Sequence, residues 1–180
     1  MIKILTAIIY FSILPSGQTS INPVHENTMS EWKTLVQSNF SIEYPSTWEL
    51  NKGGQMGTRF ILFSPLDSEK DTFKENVNLM VQDLGKENID LNRYTEISEG
   101  QIKTLLTNSD LIESKRIKKS DGEFHKLIYT GDQGVFHLKF EQYYWVIDAK
   151  AYVLTFTSEE EKFATYSETG EKILNSFSIK

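Results

Sequence analysis

Apolar and polar residues alternate along the first part of the chain, as they do in half-buried β-strands. Phe40, Ile42 and Tyr44 are separated from each other by single polar residues, which predicts a strand with one buried face. Pro45 ends this run, because proline lacks the backbone N–H that a central strand needs. Residues 32–36 have a similar composition, so the two segments predict a β-hairpin.

Strand-like segments also fill the later part of the chain. Strands are predicted at residues 59–64, 76–82, 111–117, 124–130, 135–147 and 151–157. The last three predict a meander. A symmetric turn at 131–134 pairs Tyr129 with Phe136, and a turn centred on Ala149 pairs Tyr144 with Leu154.

Two segments have the periodicity of amphipathic helices. Residues 91–107 follow Asp90, a good N-cap residue. Residues 159–175 follow Ser158, and a glutamate three residues after it completes a capping-box pattern. Gly170 lies on the apolar face of this second segment, which predicts that the helix approaches a sheet closely.

The order of these elements predicts the fold class and the domain organisation. Strands dominate the early and late-middle parts, with one helix between them and one after them, which indicates an α+β domain around an antiparallel sheet over residues 32–180. Residues 18–31 are polar and aperiodic, as in a flexible leader. Residues 1–17 join Lys3, an apolar run and a small-residue end, the layout of a secretory signal peptide. A buried strand or helix is the alternative for this segment.

Composition narrows the function classes. The chain has 180 residues and no cysteine, which excludes disulfides, thiolate nucleophiles and thiolate metal sites. Its net charge is −6, and loss of Lys3 with the signal peptide makes it −7. A protein this acidic binds polyanions poorly, and nucleic acid is therefore not an expected partner. The apolar N-terminal run is shorter than the ~20 residues of a membrane span, so no transmembrane segment is expected after cleavage.

No catalytic motif stands out. The chain has neither the G-x-S-x-G nor the H-E-x-x-H pattern. In the predicted meander, His125 and His137 project from opposite faces of the sheet and so cannot share a metal. We therefore predict no catalytic residue, no metal and no cofactor. A small secreted hydrolase or ligand-binding enzyme that uses a histidine and carboxylates is the alternative.

Binding candidates come from an aromatic strand and a basic run. In the predicted register both faces of residues 142–146 are apolar, so either a helix covers the second face or its aromatic side chains meet a partner. The basic run is either an edge strand guarded by lysines or a docking patch for an anionic partner. The candidate binding residues are Tyr143, Trp145, His137, Lys115, Arg116, Lys118 and Lys119.

The sequence does not decide whether one loop binds calcium. Asp67, Glu69 and Asp71 place carboxylates at alternate positions, which is a calcium cue. The loop lacks the glycine and the distal glutamate of an EF-hand, so a solvated charged loop is the favoured interpretation.

The order of elements and two short motifs resemble one family. The motifs are Phe40-x-Ile42-x-Tyr44-Pro45-x-x-Trp48 and, near the C-terminal end, Ile173-Leu174-x-Ser176-Phe177. Over residues 32–180 the chain resembles the PsbP-like superfamily, which contains the extrinsic PsbP protein of photosystem II and the nuclear Ran-release factor. The resemblance implies an α/β/α sandwich, with helices on both faces of the sheet. It also implies a binding or assembly role, because the characterised members are mainly not enzymes.

Together these observations predict a periplasmic or secreted, non-catalytic domain that binds or assembles a protein or cell-envelope partner. No residue specific for a chromophore or a GTPase is present to carry over from the family. The Phe40–Trp48 motif is interpreted as a corner that closes the core, with Trp48 as a large apolar plug.

Overall fold

The computed structural model describes residues 31–180 apart from Asp121 and the side chain of Met56. In chain order the elements are β1 (Trp32–Val36), β2 (Phe40–Pro45), β3 (Glu49–Asn51), β4 (Thr58–Phe63), β5 (Asn76–Asp83), α1 (Leu91–Leu105), β6 (Thr107–Lys119), β7 (Gly122–Gln133), β8 (Phe136–Ile147), β9 (Lys150–Glu159), α2 (Phe163–Asn175) and β10 (Ser178–Ile179). The predicted signal peptide and all but the last residue of the predicted leader lie outside the described residues. No helix within residues 31–180 has the length and apolar character to cross a membrane.

The strands form two antiparallel sheets. The large sheet has seven strands in the order β3-β4-β5-β9-β8-β7-β6. The predicted β1–β2 hairpin is present, and β10 pairs with the other edge of β2 to complete a small three-stranded sheet. The chain turns after β2, where the Trp48 N–H donates to the Pro45 carbonyl at 3.0 Å.

Both faces of the large sheet are covered, because its central strands are apolar on both sides. Helix α2 and the small sheet pack on one face, which we call the α2 face, against Leu154 and Phe156. Helix α1 packs on the opposite face, the α1 face, against Tyr129 and Tyr144. This arrangement confirms the α+β class with helices on both sides of an antiparallel sheet.

Helix α1 begins where the sequence predicts it. The Asp90 carboxylate accepts a hydrogen bond from the Arg93 N–H at 2.8 Å, which satisfies one of the free N–H groups of the first turn. The helix ends at Leu105, two residues before the predicted end. Leu106 already has extended backbone angles and leads into β6.

The predicted capping box of the second helix is wrong. Strand β9 continues to Glu159, so Ser158 is a strand residue, and a 3-10 turn (Glu160–Lys162) precedes α2. The Ser158 hydroxyl lies 3.4 Å from a carboxylate oxygen of Glu75 and 2.9 Å from the Glu159 carbonyl. Its hydrogen bonds therefore serve a buried network and not the helix.

Gly170 confirms the predicted close approach of α2 to the sheet. A Cβ atom built on Gly170 would lie only 2.6 Å from the ring of Phe156 in β9. Atoms this close overlap, so at this position only glycine allows the helix to rest on the sheet at its present distance.

The β7–β8 hairpin is tighter than predicted. Its turn is Gly134–Val135, and Tyr129 pairs with Phe140 instead of Phe136. The pairing differs by an even number of residues, so every side chain stays on its predicted face. His125 and His137 lie on opposite faces, as expected.

The β8–β9 register is wrong by one residue. Asp148 and Ala149 form a two-residue turn with φ of 50° and 56°, a left-handed conformation that alanine rarely adopts. Tyr144 consequently pairs with Val153 and not with Leu154, and Trp145 pairs with Tyr152. The residues of β9 therefore lie on the faces opposite to the predicted ones.

Candidate binding surface

Strand β6 carries the basic run at the open edge of the large sheet. No strand of residues 31–180 pairs with its outer side. On its inner side Lys115 pairs with Lys126 and Arg116 pairs with His125. Side chains alternate along a strand, so Lys115 and Lys119 lie on the α2 face, and Arg116 and Lys118 lie on the α1 face. The basic run is thus divided between two surfaces.

Lys119 meets a row of aromatic rings on the α2 face. Its Nζ lies 5.2 Å from the ring centroid of Phe124, within cation–π range. The Phe124 ring is 5.2 Å from Trp145, and Trp145 is 5.1 Å from Phe177, just beyond α2. Phe124 and Phe177 are buried, while Trp145 is half-buried and Lys119 is exposed. We call Lys119, Phe124 and Trp145 the basic–aromatic corner.

Two of the predicted binding residues are engaged within the fold. Tyr143 is 3% exposed and belongs to the core beneath α2 and the small sheet, so the helix-covered interpretation holds for its side of β8. Arg116 is engaged within the fold, because it donates to Asn92 at 2.6 Å and to Glu123 at 3.2 Å.

The lysines of β6 make no ion pair with the carboxylates that the structure describes. Lys126, opposite Lys115, is already bound by Glu141 at 2.8 Å and Glu171 at 3.4 Å. Apart from Asp121, which is not described, no carboxylate of residues 31–180 lies within ion-pair distance of Lys115 or Lys118. Glu141 is 1% exposed, so burial raises the pKa of its carboxyl although Lys126 opposes the shift.

His137 lies far from the corner, at the other end of β8. Its Nδ1 is 2.5 Å from Asp132 and its Nε2 is 3.3 Å from Glu160. Asn108 donates to the same Asp132 carboxylate. Hydrogen bonds from His137 and Asn108 hold the pKa of Asp132 below its usual value. Both ring nitrogens are thus used within the protein, and no three metal-binding side chains in the described chain are placed to hold an ion.

His125 contacts a serine, but the proton order is not that of a catalytic triad. Arg116 donates to Nδ1 of His125 at 3.4 Å, which leaves the proton on Nε2. Nε2 then donates to Ser114 Oγ at 2.8 Å, and Ser114 donates to Glu99 at 2.5 Å. A triad needs the histidine to accept the serine proton. Burial and Arg116 lower the pKa of His125, with Glu99 only partly opposing them, which keeps the ring neutral.

A lysine from another part of the chain, Lys162, lies among the carboxylates that could have formed a calcium site. Lys162 Nζ contacts Asp71 at 2.9 Å, Glu159 at 3.1 Å and Asp67 at 3.3 Å. Burial raises the pKa of Asp71, but hydrogen bonds from two backbone N–H groups and from Lys162 outweigh it and lower the pKa. The positive charge that these carboxylates attract is therefore supplied by the chain itself, and Glu69 is exposed outside this cluster.

Behind Lys162 lies Glu75, which is 0% exposed. Ser64 Oγ donates to its carboxylate at 3.2 Å, and Ser158 lies on its other side. Burial raises the pKa of Glu75 despite these partners. No sequence pattern points to Glu75, Lys162 or Glu141, because the residues that surround each of them are distant along the chain.

Glu75→Gln should change how stability depends on pH. A carboxyl with a raised pKa contributes full stability below its unfolded pKa of about 4.3 and loses it as pH rises through its folded pKa. The variant removes this loss, so relative to the wild type it should gain stability between pH 4 and 7. Urea unfolding at both pH values measures the difference.

Glu69→Gln is the matched control, because it makes the same change at an exposed position of the neighbouring loop. The two variants should differ in the sign or size of their pH effect. Equal effects would show that the buried environment of Glu75 does not matter.

Comparisons with known proteins identify the fold. No family model and no curated protein matches the sequence. Among solved structures, cyanobacterial PsbP (CyanoP) from Synechocystis sp. PCC 6803 is similar with a TM-score of 0.61 and 14% identity, over 89% of this chain and 99% of that chain. LpqN of Mycobacterium tuberculosis, described as involved in cell envelope biogenesis, has a TM-score of 0.62 and 12% identity, over 88% and 90%.

A third similar structure is PA94 of Pseudomonas aeruginosa, a protein of unknown function. It has a TM-score of 0.58 and 11% identity, over 81% of this chain and 94% of that chain. At these identities the likeness concerns the fold. The fold expected from the order of elements and the two short motifs is therefore confirmed: the protein has the PsbP-like fold.

Proposed function

We propose that this protein is an exported, non-catalytic binding domain that docks a protein or cell-envelope component at its basic–aromatic corner. The observation that carries the proposal is the chain of contacts near the open edge of the sheet, in which Lys119 lies 5.2 Å from the Phe124 ring and this ring lies 5.2 Å from the half-buried indole of Trp145. Tryptophan with a neighbouring cation is a common anchor of protein interfaces, because it offers large apolar area and a polar N–H.

The charge of this surface indicates the partner's chemistry. The chain as a whole is acidic, with a net charge of −6, yet β6 places two lysines, Lys115 and Lys119, on the α2 face. A partner with carboxylates beside an apolar group would complement both Lys119 and Trp145. Local complementarity of this kind guides association even when the net charges of both partners are negative.

Two further considerations support a binding role over the enzymatic alternative. Both described histidines are held by partners inside the protein, and the Ser114 hydroxyl accepts a hydrogen bond from His125 instead of donating one to it. LpqN, a structural neighbour, is described as involved in cell envelope biogenesis. Together with the predicted signal peptide, this neighbour motivates an envelope partner and a periplasmic or secreted location.

Capture from cell-envelope extract tests the proposal. Lys119→Glu should reduce the amount of captured partner at least about tenfold. The substitution replaces the cation of the basic–aromatic corner by a carboxylate, which would repel the carboxylates of the proposed partner. Trp145→Ala should do the same. Val135→Ala, in the β7–β8 turn at 88% exposure, is the control and should bind as the wild type does.

Unfolding curves should accompany the capture, because Trp145 also packs on the core. Lys119 is exposed, so its variant should keep wild-type stability. If Lys119→Glu and Trp145→Ala both capture the wild-type amount, the corner is not the binding surface.

A further inference from the structure

We propose that β6 pairs with β6 of a second copy of this chain, antiparallel and centred on Ser114, so that the two large sheets become one. The strand is the edge of the large sheet and runs for 13 residues, whereas β3 at the opposite edge has only three. Its outer N–H and C=O groups face no strand of residues 31–180. An edge of this length is a template for another strand.

The charges of β6 are arranged for antiparallel self-pairing. Ile112 has no pairing partner of its own and is the extra residue of a β-bulge between Leu111 and Glu113. Because of this bulge, Asp110 and Glu113 both lie on the α2 face, where Lys115 and Lys119 also lie. Along β6 on this face, the acidic side chains lie nearer the N-terminal end of the strand and the basic ones nearer its C-terminal end. In an antiparallel second copy, the acidic end of each strand therefore lies opposite the basic end of the other.

In the register centred on Ser114, Glu113 of each copy lies directly opposite Lys115 of the other. Opposite charges at such positions stabilise a strand pair. Neither Glu113 nor Lys115 has an ion-pair partner within residues 31–180, so both charges are available. The two-fold axis makes each pair occur twice, as in any isologous dimer.

The lysines also select this register against others. If the pairing were centred on Ile117, Lys115 would meet Lys119 and Arg116 would meet Lys118. Like charges directly opposite destabilise a strand pair. Lysines at a sheet edge normally prevent pairing with another strand. In β6 they disfavour registers centred on the basic residues, but they permit the register centred on Ser114.

The dimer would have a consequence for the proposed binding surface, although it does not depend on it. A two-fold axis perpendicular to the sheet keeps the α2 faces of both copies on one side. The two basic–aromatic corners would therefore lie on the same surface. The contact is confined to one strand from each copy, so we expect a weak dimer, with a dissociation constant on the order of 10 μM.

Sedimentation velocity of the purified protein tests the dimer. Association should appear as the concentration rises to about 100 μM, well above the expected dissociation constant. Glu113→Lys and Lys115→Glu should each weaken the dimer about tenfold or more, because each places like charges opposite each other twice. The double variant restores opposite charges and should dimerise as the wild type does.

A cysteine variant tests the register. The chain contains no cysteine, so Ser114→Cys has a single thiol. Directly opposed residues of an antiparallel pair have Cα atoms about 4.5–5.5 Å apart, within the range of a disulfide. Ser114→Cys should therefore form a disulfide dimer on mild oxidation much faster than Thr34→Cys, an exposed control on β1 at the edge of the small sheet.

Three results would each overturn the inference. The first is a wild-type protein that remains monomeric throughout the concentration range. The second is a dimer that the single charge changes do not weaken or that the double variant does not restore. The third is a Ser114→Cys variant that oxidises no faster than the β1 control.

Discussion

Trp48→Ala should lower the free energy of unfolding by about 3–5 kcal/mol, the usual cost of removing a large aromatic side chain from a core. Trp48 is 6% exposed and packs in the core cluster on the α2 face, which it shares with Phe40, Ile42 and Tyr44 of the same motif. Removal of the indole leaves a cavity that neighbours on two sheets cannot easily fill. Urea or thermal unfolding of both proteins measures the loss.

Trp32→Ala is the matched control for this prediction. Trp32 is only partly buried, and Lys172 lies over its ring at 4.0 Å, so the same substitution removes far less buried area. We expect a clearly smaller loss. If Trp48→Ala kept wild-type stability but lost partner binding, Trp48 would belong to a binding site. The interpretation of the Phe40–Trp48 motif as a structural corner that closes the core would then be wrong.

Gly170→Ala should destabilise the protein by about 1–3 kcal/mol, as overpacked substitutions do. The added methyl group would overlap the Phe156 ring at 2.6 Å, so either the ring or α2 has to move. This cost opposes the gain of up to about 1 kcal/mol that alanine brings to a helix in place of glycine. Chemical denaturation gives the net value.

Gly100→Ala in α1 isolates the packing term. Apart from the backbone of its own helix and its two chain neighbours, no atom lies within 4 Å of a Cβ built there. Only the helix propensity therefore acts, and the variant should be more stable than the wild type. Phe156→Leu should reduce the effect of Gly170→Ala, because leucine has no ring to meet the new methyl group. Equal effects of Gly100→Ala and Gly170→Ala would contradict the close approach.

Local patterns predicted most of the elements and several faces, but not the short strands β3 and β10. The sheet faces around the β7–β8 turn were correct although the turn was misplaced, because side chains repeat every two residues and the shift was even. The β8–β9 turn shows the limit of this reasoning. Ala149 at φ 56° is not a residue that predicts a left-handed turn, and a shift of one residue reversed the predicted faces of β9.

What sequence patterns could not supply were contacts between distant segments. Ser158 has the context of an N-cap, but its hydroxyl serves Glu75, which lies 83 residues away. The carboxylates at Asp67 and Asp71 were recognised as a possible cation site, yet the cation is Lys162, almost a hundred residues later. The basic run of the candidate binding surface can be recognised in the sequence. Which of its side chains lie on the α1 face and which on the α2 face depends on the pairing of β6 with β7.

The small sheet imposes an order on folding. Its middle strand β2 is completed by β10, the Glu43 N–H donates to Ser176 across 133 residues, and the Lys180 N–H donates to the Asn39 carbonyl. Until residues 178–179 have left the ribosome, β2 has a partner on one edge only. Contacts so far apart in sequence form slowly. The small sheet of a growing chain therefore stays incomplete while residues 46–177 are being synthesised, although every strand of the large sheet precedes α2.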